Sequence, residues 1–113
     1  MANIYKNAFF DPSDTANTVV YATDNLTRAI IQNIQVTNEG GSKIVRAYVF
    51  DSSNSNTATQ IAYANISGPT ICNIAKGPII LEESDTLVLS SSDASGISAT
   101  VSILEVNRGL IQQ

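Results

Sequence analysis

Histidine and tryptophan are absent from this chain of 113 residues, cysteine and methionine occur once each, and charged residues make up 14 % of it. Each shortage removes a class of function. Without histidine there is no imidazole to act as general base or as the commonest transition-metal ligand, which excludes Ser-His-Asp and Cys-His nucleophile arrangements. A Ser-Lys pair would have to use Lys6, Lys43 or Lys76, and no nucleophile motif surrounds any of them. The lone Cys72 forms no intrachain disulfide, so the small secreted scaffold held by several bridges is excluded too. Its expected place is the core, where a free thiol behaves as a small hydrophobe. No apolar run approaches the roughly 20 residues that a membrane span needs, and the segment from Met1 to Lys6 has no apolar h-region. Basic residues are few: 6 Lys and Arg stand against 10 Asp and Glu, for a net charge of −4. A polyphosphate would be repelled at long range, so nucleic acid is not an expected partner.

Ser, Thr and Asn stand in for the missing charge beside many Ile and Val, and that mixture favours strands joined by polar loops over helices. The segment Thr27 to Asn38 reads TRAIIQNIQVTN. A two-residue period places Ile30, Gln32, Ile34 and Val36 on one face, with Ile31 on the other, as in a half-buried strand. Glu39-Gly-Gly-Ser42 follows, and the chain returns as KIVRAYVFD from Lys43 to Asp51, which predicts a hairpin. Val45, Ala47 and Val49 share one face of that return strand and Ile44, Arg46, Tyr48 and Phe50 the other. Ser52 to Thr59 predicts a surface loop, Gln60 to Ser67 a strand closed by Gly68-Pro69, and Thr70 to Ala75 a shorter strand closed by Lys76-Gly-Pro78. Ile79 to Leu81, Thr86 to Ser90 and Ile97 to Val106 complete the series, with weaker candidates at Ile4 to Phe10 and Thr18 to Ala22. Seven or eight short strands at near-regular spacing predict an all-β fold, an antiparallel β-sandwich of Ig-like or jelly-roll type. Residues 1–106 form its single domain, and 107–113 a C-terminal tail. The predicted core is Ile34, Val36, Val45, Val49, Cys72, Leu87, Leu89 and Ile103.

The candidates for chemistry are few. Gly40-Gly41 lies between strands and not before a helix, so it is no phosphate loop. Glu82, Glu83 and Asp85 could serve as a carboxylate pair or a calcium site, but three acids between two strands predict a solvated turn. No catalytic, metal or cofactor residue is therefore assigned. What remains is surface. Both faces of Lys43 to Asp51 carry apolar bulk while a sandwich strand serves one core, so Ile44, Tyr48 and Phe50, with Tyr63, are expected to form an interface. Leu110 and Ile111 in the tail are expected to join it.

Several blocks carry a resemblance. Ala2-Asn-Ile-Tyr-Lys-Asn7, then Val19-Val-Tyr21, then Ile30-Ile-Gln-Asn-Ile-Gln-Val-Thr-Asn38 resembles a group of small virion structural proteins of tailed bacteriophages. So does the second half: Gly77-Pro-Ile-Ile-Leu81, the acidic turn Glu82-Glu-Ser-Asp85 with Thr86-Leu87, and a closing strand from Val101 to Val106. Ser84 departs from the group, which often has Gly before that Asp, and so does the added tail, Asn107 to Gln113. The resemblance implies a non-enzymatic virion component assembled in the host cytoplasm and present in repeated copies or as a homo-oligomer. Its partners would be the major capsid protein or tail proteins. A capsid decoration or cement subunit is the leading expectation. A tail, baseplate or fibre-associated module is the first alternative, and a carbohydrate- or receptor-binding module the second.

Overall fold

In a computed structural model describing residues 2–107, nine strands run in the order β1 (Ala2–Phe10), β2 (Thr18–Ala22), β3 (Thr27–Asn38), β4 (Ser42–Asp51), β5 (Thr57–Ser67), β6 (Thr70–Asn73), β7 (Ile79–Leu81), β8 (Thr86–Ser91) and β9 (Ile97–Asn107). One 3-10 turn, Ser52–Asn54, precedes β5. The strands form two antiparallel sheets, one ordered β1-β9-β3-β6 with β7 also on β3, the other β2-β8-β4-β5. The pairing is nested: β1 with β9, β2 with β8, β3 with β6 and β7, β4 with β5. A single long hairpin folded over on itself pairs its strands in this way, which is the jelly roll, with β6 and β7 sharing the place of one strand. The topology thus separates the two sandwich types that strand spacing alone left open.

The core lies between the sheets. β9 alternates cleanly, burying Ile97, Ala99, Val101 and Ile103. β4 turns Val45 and Ala47 inward, with Ala47 beside Leu89 and Val49 beside Leu87 of β8. Ile34, Val36, Val45, Leu87, Leu89 and Ile103 are fully buried as the sequence predicts, whereas Val49 and Cys72 are half-buried at the rim. Phe10, Ile31, Leu81 and Val101 are equally central and were not predicted.

Two expectations are corrected. β3 does not hold one strict period, because the register to β9 shifts between Ile31 and Asn33. A bulge there puts two residues opposite one and reverses which face later residues take. Ala29 and Ile31 face the core before the bulge, Ile34 and Val36 after it, and Ile30 lies on the outer face. Nor do β3 and β4 form a hairpin. They belong to opposite sheets, and the Glu39–Gly41 segment is a corner between layers. The corner is held by side chains that a hairpin would not bury. Buried Asn38 donates to the carbonyls of Gly41 and Gly68, each at 3.0 Å, and buried Lys43 donates to Asn38 Oδ1 at 2.7 Å and to the Gly40 carbonyl. Glu39 N–H donates to Gly96 O at 2.8 Å, so three inter-sheet corners are tied in one knot. Gly41 at φ +76° supplies the left-handed turn.

Candidate functional site

The outer face of the β2-β8-β4-β5 sheet carries an apolar surface. Because Val45, Ala47 and Val49 face inward, alternation sends Ile44, Arg46, Tyr48 and Phe50 outward. Register then sets Val19, Val88 and Tyr48 side by side across three strands, with Thr86 and Phe50 in the next row. Val88 is only 4 % exposed yet lies outside the core cluster, so its cover comes from its neighbours on this outer face. A groove of about 300 Å³ runs here, lined by Val19, Phe50 and Val88 with Asn17, Asn56 and Thr86. Its polar groups are amides and a hydroxyl, which both donate and accept hydrogen bonds. Tyr63 of β5 is 53 % exposed and carries the Arg46 guanidinium 5.2 Å from its ring centre.

The structure brings Ile44, Tyr48, Phe50 and Tyr63 onto one face. Leu110 and Ile111 lie outside the described residues. A second apolar row was not foreseen. On the outer face of the other sheet, Tyr5, Leu104, Ile30 and Ile80 align across four strands, with Tyr5 75 % and Ile80 53 % exposed. Only the β3 bulge, invisible to a fixed period, turns Ile30 to this side.

The acidic turn departs from the solvated reading. Asp85 is buried, and its carboxylate accepts from Glu82 N–H and Ser52 N–H, both at 3.0 Å, while its own N–H donates to Thr23 Oγ1 at 3.0 Å. It staples the β7–β8 turn to the connections after β2 and β4. Glu83 accepts from Arg28 Nε at 3.0 Å. Asp51, Glu82 and Asp85 place carboxylate oxygens within 4.8 Å of one another, the group among the described residues that could hold a cation. Asp51 is also engaged, accepting from Ser53 N–H at 3.0 Å. Near the β1–β2 end, Glu105 takes the Tyr21 hydroxyl and lies 3.5 Å from Lys6 Nζ. Burial, then the adjacent carboxylate, pushes the Tyr21 phenol well above its usual value. The Leu26 N–H, then the Thr27 side chain, hold the exposed Asp24 carboxyl below the usual carboxylate range.

No family model and no curated protein matches the chain. Solved structures resemble it at low identity. A subunit of Bacillus endospore appendages, which form disulfide-linked pili, superposes with a TM-score of 0.52 at 9 % identity, covering 91 % of this chain and 85 % of that one. The Clostridium thermocellum xylanase 10B, in a structure containing CBM22-1 and GH10 modules, gives a TM-score of 0.49 at 11 % identity over 92 % of this chain and 22 % of that one. A pentameric capsid protein from metagenomic phage sequences gives 0.44 at 16 % identity over 94 % and 64 %. At 9 % identity the likeness to the appendage protein is one of fold alone.

Proposed function

We propose that this chain is a non-enzymatic structural protein of a phage particle, a decoration or cement subunit that coats the capsid shell through the outer face of its β2-β8-β4-β5 sheet. The observation that carries the reading is the Val19–Val88–Tyr48 row with Phe50 beside it: a continuous apolar strip on a face the core does not use. Such a strip is short of charge and rich in aromatics, the composition of an interface centre. The resemblance of the β1, β3 and β7–β8 blocks to tailed-phage virion proteins supplies the particle. A tail or baseplate position would use the same face. Immunogold labelling of intact particles decides between them: label over the whole shell supports the cement role, and label at one vertex moves the protein to the tail.

A second reading has its own observation. Asn17, Asn56 and Thr86 flank Phe50 in the groove, a set of amides and a hydroxyl around an apolar ring that suits a sugar. A glycan array with the purified protein tests it. Binding that Phe50→Ala abolishes would favour the carbohydrate module.

A further inference from the structure

Sheet edges expose unpaired backbone N–H and C=O groups, and proteins blunt them with charges, proline, short strands or bulges. Three edge segments here are blunted. β2 has five residues and a register break after Val19, and β6 and β7 have four and three residues, with Pro69 and Pro78 just before them. β5 is different. It spans 11 residues, TATQIAYANIS, without a charge, a proline or a glycine, and among the described residues β4 is its only strand partner. Its one irregularity, opposite Ala47 and Tyr48, leaves Ala62 to Ser67 as a regular, open edge. The core also reaches this flank. Ala62 and Ala64 of β5 are half-buried and packed on the core cluster.

We propose that β5 is a self-association edge, on which Ala62–Ile66 of a second copy pairs antiparallel about a two-fold axis, joining two four-stranded sheets into one of eight strands. A second copy is the occupant because the strand is complementary to itself. Antiparallel pairing centred on Ala64 sets Tyr63 opposite Asn65 on the outer face and Ala62 opposite Ile66 on the inner one, preserving the facing observed in the β4 ladder. Small residues on the inner face let the two cores approach. No like charges meet, as two Lys6 side chains would if the other long edge, β1, paired with itself about its middle. The result is an isologous contact, closed after two copies. It adds to the proposed shell contact and does not rest on it, since oligomeric state is measured on the purified protein.

Ala64 on the axis provides the test. In a Cys72→Ser background, Ala64→Cys should give a disulfide-linked dimer on mild oxidation, because directly opposed strand residues lie within disulfide range. Ala64→Lys points a charge inward at the axis and should convert the dimer seen by sedimentation equilibrium to a monomer. Its melting curve shows whether the variant is folded, and the cysteine variant stands independently of it. A wild-type protein monomeric at millimolar concentration, or a dimer that Ala64→Cys fails to link, overturns the proposal. So does hydrogen-exchange protection of β5 that appears only on assembled particles, which would assign the edge to a different partner.

Discussion

Ser84 is one of three residues other than glycine, with Ser55 and Asn56, that take a left-handed backbone among the described residues. It holds φ +64°, a left-handed conformation that costs an L-residue roughly 1 to 2 kcal/mol and glycine almost nothing. Ser84→Gly is expected to raise stability by about 0.5 to 1 kcal/mol after glycine's own entropy loss, read as a higher urea midpoint at unchanged m-value. Asp85 next to it is the reverse case, a carboxylate whose acceptors are taken by backbone N–H groups of Glu82 and Ser52. Removing it in Asp85→Ala strands those donors, at about 1 to 3 kcal/mol each when buried. Because the carboxylate is already engaged, EDTA is expected to leave the melting temperature of the wild type unchanged; a drop of several degrees would show a resident cation instead. Tyr21 sets an alkaline limit. Its raised pKa means the folded state favours the neutral phenol, so this stabilisation is complete below the unfolded value of about 10 and is lost as pH climbs through the folded value. Tyr21→Phe should flatten the fall in stability above pH ~10 in pH-jump denaturation.

At the level of elements, β3 shows how one inserted residue decides which side chains are core. Ile31 has no exposed surface, whereas its neighbour Ile30 lies half-buried in the outer row. Ile31→Ala should cost about 2 to 5 kcal/mol, the range for a buried cavity, and Ile30→Ala about 1 kcal/mol or less. Equal losses in thermal denaturation would place the bulge elsewhere. The alternating pattern was legible and its phase was not, since the bulge leaves no mark in TRAIIQNIQVTN. The β3–β4 connection teaches a related lesson. Paired glycines after a strand suit a tight hairpin and an inter-sheet corner equally, and the choice fell to Asn38 and Lys43, whose burial and mutual hydrogen bond exist only once the sheets are stacked. β1 and β2, by contrast, match their weak sequence signals residue for residue at their C-terminal ends, Phe10 and Ala22.

For the molecule as a whole, the question is which surfaces meet other chains. The proposed shell contact and the proposed β5 edge lie on the same sheet but use different atoms, side chains in one case and backbone in the other. Tyr48→Ser with Phe50→Ser alters only the outward face of β4. The double variant should therefore remain folded, with near-native far-ultraviolet dichroism, and be missing from purified particles. Recovery on virions at wild-type copy number would put the contact elsewhere, with the Tyr5–Leu104–Ile30–Ile80 row as the next surface to alter.

The amino-acid sequence alone determined the class of fold: strand periods with polar breaks, which the two stacked antiparallel sheets bear out. It also determined the outward face of β4, because a period of two admits one choice once Val45 and Ala47 are core. Tertiary structure decided the jelly-roll nesting, since β1 meets β9 across nearly the whole chain and no local pattern encodes so distant a partner. It decided the burial of Asp85 and Lys43 too. A charged side chain reads as solvated until the elements that supply its hydrogen bonds come together, and here those partners come from turns separated by up to 62 residues.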